Sequence, residues 1–226
     1  LDGEDRVKFS DFVVQTFEAQ NIFVFEYANI GGGTVFDGVV EPKDVSTRRW
    51  EERVPAFAMD VTDAHQRFYE LYVPTVDSTR LGAVAALCLR ARRPVLLTGV
   101  TGCGKTTTLR TMVQDLSLPP AAAALVEAGE AVPPHVVPLC LASHSSSATL
   151  QRALEAKLER HHAGYLAAPA GRVAVLLVDD INTPTPEPFG AQPPLELLRQ
   201  AVEAGGVFDR QAWSWLALQD TLVVAA

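Results

Sequence analysis

Three cysteines in 226 residues, Cys88, Cys103 and Cys140, are too few and too scattered for a disulfide framework or a thiolate metal site. They are expected to be reduced thiols of a cytosolic-type compartment. Positive charge is also short, with 19 Lys and Arg against 27 Asp and Glu and a formal net charge of -8. Such a chain lacks the basic surface of a general nucleic-acid binder, which argues against a helicase or clamp loader and leaves nucleic acid out of the expected partners. No apolar run approaches the roughly 20 residues of a helical membrane span, so no membrane partner is expected either. No G-x-S-x-G elbow surrounds Ser143 and His144, and neighbours in sequence rarely face each other, so this pair does not read as a hydrolase nucleophile and base. The first residue is Leu1 rather than Met, and residues 221–226 form an apolar run with no polar tail. A piece of a longer polypeptide is the expectation.

What the chain does have is Gly99-Val100-Thr101-Gly102-Cys103-Gly104-Lys105-Thr106, which fits G-x-x-x-x-G-K-[ST] at every fixed position. Residues 94–98 before it read as a short buried strand, and residues 106–113 after it as the opening of a helix, so the order is strand, glycine loop, helix. Glycines let successive backbone N-H groups turn inward toward phosphate oxygens, and the helix adds its positive N-terminal dipole. Lys105 is then expected at the β- and γ-phosphates of a nucleotide, the Thr106 hydroxyl on Mg²⁺, and Thr107 within the same cradle. Farther on, residues 173–178 are an uninterrupted apolar run ending in Asp179-Asp180, the pattern of a buried parallel strand with two carboxylates at its C-terminal end. In an open α/β sheet that end faces the ligand crevice. Asp179 is the expected Mg²⁺ carboxylate and Asp180 the residue that orients the attacking water.

The remaining segments divide unevenly. Residues 1–70 lack the α/β rhythm: Val7, Phe9, Phe12, Val13 and Phe17 suggest an amphipathic helix, residues 22–27 an extended run, and Gly31-Gly32-Gly33 a loop. Trp50, Phe57, Phe68, Tyr69 and Tyr72 read as packing aromatics. Asp77 is the expected N-cap of a helix closed by Arg90, Arg92 and Arg93. The Ala- and Pro-rich stretch near 118–135 reads as a surface insertion. A strand over 136–142 follows, then a helix from about Ala148 to His161, with His161 and His162 as cationic caps at its end.

With both phosphate elements in place, the words around them become recognisable. Residues 73–77 (VPTVD), the phosphate loop, residues 178–184 (VDDINTP), residues 189–200 (FGAQPPLELLRQ) and residues 205–210 (GGVFDR) together resemble the third AAA+ module of a dynein heavy chain, of the axonemal type. That resemblance implies a P-loop NTPase (AAA+) fold with a parallel sheet flanked by helices, its strands ordered 5-1-4-3-2. It implies that 71–226 is the large subdomain, supplying strands one to four and stopping before the last core strand and the helical lid. Residues 1–70 would be the end of the preceding module and a connecting segment. It further implies that Val73, Pro74 and Thr75 pack near the adenine, that ATP or ADP with Mg²⁺ is bound, and that the site regulates a microtubule motor. Partners would be the neighbouring AAA+ modules and, through the parent chain, intermediate chains, light chains and microtubules, in the cytoskeleton of a cilium or flagellum axoneme. Cytoplasmic-type modules carry Glu at the position of Asp180. Two alternatives therefore stand: a hydrolysing regulatory site, or a structural nucleotide site with negligible turnover.

Overall fold

A computed structural model describes residues 3–20, 33–41, 46–57, 71–118, 131–162 and 164–226. The expected extended run at 22–27, most of the glycine triplet, Phe68, Tyr69 and the bulk of the Ala/Pro stretch lie outside the described residues. The chain divides into two compact units, Leu1–Arg80 and Leu81–Ala226.

In the first unit the amphipathic pattern does form a helix, α1 (Gly3–Glu18), with Phe9 stacked on Phe36 and the Arg6 guanidinium over the same ring. Strands β1 (Gly38–Glu41) and β2 (Ser46–Arg49) pair antiparallel and lead into the single turn α2 (Trp50–Arg53). Trp50 is buried there, with Arg53 lying over its ring and ion-paired to Glu41. Asp37 accepts the Thr34 N-H and hydroxyl, and the backbone bond above all holds its carboxyl below the ordinary aspartate value. Helix α3 (Val76–Arg90) begins two residues earlier than the Asp77 cap predicts. Thr75 caps it instead: the Ser78 N-H donates to the Thr75 hydroxyl while the Thr75 N-H donates to Ser78 Oγ. Asp77 is left to pair with Arg80 at 2.6 Å.

The second unit is built on a four-stranded parallel sheet. Its strands are β3 (Val95–Leu96), β4 (His135–Cys140), β7 (Ala174–Asp179) and β10 (Thr221–Ala225), in the spatial order β3-β10-β7-β4. In chain order this is 1-4-3-2, the arrangement that the dynein resemblance implies for strands one to four. Helices α4 (Lys105–Asp115), α5 (Ser147–Glu155) and α6 (Pro193–Glu203) occupy the crossovers, as parallel pairing demands. The period-2 alternation of β7 builds two cores at once. Leu176 and Val178 join Leu139, Leu150, Leu154 and Leu198 on one face, while Val175 and Leu177 join Leu89, Leu109, Val113 and Val224 on the other. Each such fully buried side chain contributes about 1.5–3 kcal/mol of transfer free energy. Pro138 is tolerated in β4 because its nitrogen lies on the side away from β7, toward which His135 and Leu141 donate.

Two expectations are corrected. The strand before the phosphate loop is not buried: β3 has β10 as its neighbour on one side only among the described residues, and Leu96 is 57% exposed. The helix expected to reach His161 stops at Glu155, and its N-cap is Ser146, whose hydroxyl accepts the Thr149 N-H. Residues 159–161 form β5, which pairs antiparallel with β6 (Tyr165–Ala167). His161 therefore caps no helix, and its ring stacks on Tyr165 at 4.5 Å. Long-range pairing overrides the local helical pattern here, since β6 is itself held by β9 (Trp215–Leu218), which pairs with β8 (Gly206–Phe208).

This second sheet is pinned by charge. Asp209, after β8, accepts the N-H groups of Gln211 and Ala212 and pairs with Arg160 of β5 at 2.6 Å. The backbone bonds and then Arg160 hold its carboxyl below the ordinary aspartate value. A carboxylate with a lowered native pKa adds stability above its unfolded value and loses it as the pH falls through the native one. Asp209→Asn is accordingly expected to lower the melting temperature at pH 7, with the gap to wild type closing once the pH drops below the usual aspartate range. A gap that stays constant from pH 7 to 3 would refute this. A larger effect is expected at Gly206, where a Cβ would stand 2.4 Å from a Trp215 ring carbon and 2.5 Å from the Leu216 carbonyl oxygen. Since backbone must move, Gly206→Ala should cost about 1–3 kcal/mol in chemical denaturation.

Candidate nucleotide site

The phosphate loop, residues 99–106, leaves β3 and enters α4. Gly102 and Gly104 have φ of +83° and +80°, a region that side chains with a Cβ rarely occupy, and Gly104 is the N-cap of α4. A Cβ on Gly99 would come within 3.2 Å of Cys103 Sγ. The loop is thus a backbone cradle at a helix N-terminus, the geometry that favours an anion. Lys105 folds back over it, donating from Nζ to the Gly99 and Val100 carbonyls at 3.0 and 2.9 Å. Thr107 donates to the Gly104 carbonyl.

The two phosphate elements meet. Thr106 donates its hydroxyl to Asp179 Oδ1 at 2.7 Å across 73 residues of sequence, and the Asp180 N-H donates to the same oxygen at 3.1 Å. Asp180 follows β7 with φ of +55°, a left-handed conformation that Asp tolerates better than most residues. Its Oδ2 lies 4.0 Å from the Cys140 thiol. Loop and carboxylates line one cleft of about 740 Å³, together with Thr98, Gly99, Thr101, Gly102, Gly104, Lys105, Thr107, Ile181, Asn182 and Thr183. That volume lies in the usual range of small-molecule sites.

Val100 and Cys103, expected among the binding residues, do not line the cleft: the Val100 side chain is 78% exposed, and the Cys103 thiol lies near Lys105 Nζ. Val73, Pro74 and Thr75 belong to the first unit, where Thr75 caps α3. Two neighbours went unread in the sequence. Cys140 ends β4 beside Asp180, and Arg110 reaches Asp179 from α4. The second was legible in principle, because residues at i and i+4 share a helix face and Arg110 stands four after Thr106.

Among the described residues no three His, Cys, Asp or Glu side chains gather as a metal site. What is present suits Mg²⁺, a hard cation that takes one or two protein oxygens and completes its shell with water and phosphate. Thr106 and Asp179 would hold it, and it would supply charge neutralisation of the phosphates.

The family described as "P-loop containing dynein motor region" matches residues 61–226. The chain belongs to this dynein motor-region family. Human dynein axonemal heavy chain 6 is 34% identical over 186 residues, covering 81% of this chain. The dynein-1-beta heavy chain of the flagellar inner arm I1 complex of Chlamydomonas reinhardtii is 30% identical over the whole chain, and mouse dynein axonemal heavy chain 2 is 30% identical over 85% of it. The chain spans only 4% of the length of each of these three relatives. Membership accounts for the α/β architecture and for the loop and carboxylate pair at the C-terminal ends of β3 and β7.

Proposed function

We propose that this chain is the third AAA+ module of an axonemal dynein heavy chain, where it binds ATP or ADP with Mg²⁺ and regulates a microtubule motor of cilia or flagella. The observation that carries the nucleotide reading is the Thr106–Asp179 bond, which joins hydroxyl and carboxylate at the mouth of the loop. Residues 71–226 act as the large subdomain and 1–70 as the end of the preceding module with its connection. Val73, Pro74 and Thr75 contribute to the adenine side. Gly99 to Thr107 embrace the phosphates, Lys105 answers their charge, and Asp180 positions the water that attacks the terminal phosphate. Neighbouring AAA+ modules are its direct partners, and the parent chain connects it to intermediate chains, light chains and microtubules.

Titration of the full chain with a fluorescent ADP analogue, with and without Mg²⁺, tests the site. Saturable binding that Mg²⁺ strengthens is expected, and no binding at millimolar nucleotide would overturn the reading. Asp180 itself favours a second reading, in which the nucleotide is a stabilising ligand acting by mass action without significant turnover. Following ADP release over many turnovers in the heavy chain, with its other sites disabled, separates the two.

A further inference from the structure

One face of α4 holds Asp179 by both of its oxygens. Thr106 and Arg110 lie one helical turn apart and both reach across to β7. The Thr106 hydroxyl and the Asp180 N-H occupy Oδ1, and Arg110 Nη2 stands 3.4 Å from Oδ2. The Asp179 side chain is 17% exposed and that of Arg110 is 60% exposed. Lys105 meanwhile directs its ammonium to the Gly99 and Val100 carbonyls, so among the described residues the guanidinium is the cation facing the carboxylate that the nucleotide reading assigns to Mg²⁺. The phosphate-loop motif ends at Thr106 and assigns nothing to Arg110.

We propose that Arg110 is a positioning residue that restrains divalent-cation binding at this site, by neutralising the Asp179 oxygen that Thr106 leaves open. The inference rests on the reading of the cleft as a Mg²⁺-nucleotide site. A cation entering beside Thr106 and Asp179 meets a fixed positive charge and a carboxylate already engaged. Because Arg110 is largely exposed, the pair adds little to folding stability, and its influence is electrostatic and screened by salt. Removing one partly screened unit charge beside a divalent ion should change Mg²⁺ coupling by about 3- to 10-fold.

The experiment measures the affinity of the full 226-residue chain for a fluorescent ADP analogue in EDTA and in Mg²⁺. The ratio of the two dissociation constants reports the coupling. In Arg110→Gln that ratio should rise about 3- to 10-fold, and at about 0.5 M salt, where the Debye length falls below roughly 5 Å, the rise should shrink. Arg110→Lys, which keeps the charge, should stay near wild type. A ratio in Arg110→Gln that is unchanged or lower, or an equal rise in Arg110→Lys, would overturn the restraint while leaving the nucleotide site standing. Failure of the wild-type chain to bind ADP at all would overturn both, which keeps the two failures distinguishable.

Discussion

Lys105→Ala should weaken binding of an ATP analogue by more than about 10²-fold while leaving the melting temperature of the nucleotide-free chain nearly unchanged. The ammonium now donates to the Gly99 and Val100 carbonyls at 3.0 and 2.9 Å, which places its charge over the cradle where phosphate oxygens would compete for it. Hydrogen bonds to a charged group contribute about 1.5–3 kcal/mol each, so loss of two such contacts to the β- and γ-phosphates amounts to about 3 kcal/mol or more. At 1.4 kcal/mol per tenfold, that exceeds a hundredfold in Kd. The backbone cradle of Gly102 and Gly104 would remain, so residual weak binding is expected rather than none. Binding of the analogue by Lys105→Ala at wild-type affinity would show that phosphate does not lie in this loop.

In the heavy chain with its other nucleotide sites disabled, Asp180→Glu should accelerate single-turnover ATP cleavage, by up to about 10²-fold. The Asp carboxylate is withdrawn by one methylene, about 1.5 Å, relative to Glu at the same backbone position. A misplacement of around 1 Å costs on the order of 10²-fold when the residue's task is to position a water, or about 2.7 kcal/mol of barrier. Nucleotide affinity should change much less, because the loop, Lys105, Thr106 and Asp179 are untouched. The left-handed backbone at Asp180, φ +55°, suits Asp better than Glu, so the variant should also lose a little thermal stability. A cleavage rate no faster than with Asp would mean that the reach of this carboxylate does not limit the chemistry, and would favour the structural reading of the site.

The amino-acid sequence by itself determined the phosphate loop, because everything the loop needs is local. Gly102 and Gly104 supply positive φ, Lys105 and Thr106 follow at fixed spacing, and α4 begins immediately with its dipole aimed at the cradle. The unbroken apolar run before Asp179 likewise announced a strand covered on both faces, and β7 is that strand, with residues 174–178 all buried. Short segments distributed along the chain sufficed to indicate the dynein motor-region family and, through that resemblance, the order of the sheet. Only the tertiary structure decided what depends on pairing between distant segments. Residues 159–161 form a strand rather than the end of a helix because β6 and β9, some 50 residues apart, close a sheet beside them, and backbone hydrogen bonds across that distance outweigh a short-range helical pattern. The same holds for the chemistry: which oxygen of Asp179 takes the Thr106 hydroxyl and which faces Arg110 follows from how α4 packs against β7, since side-chain direction across an interface is set by packing and not by spacing along the chain.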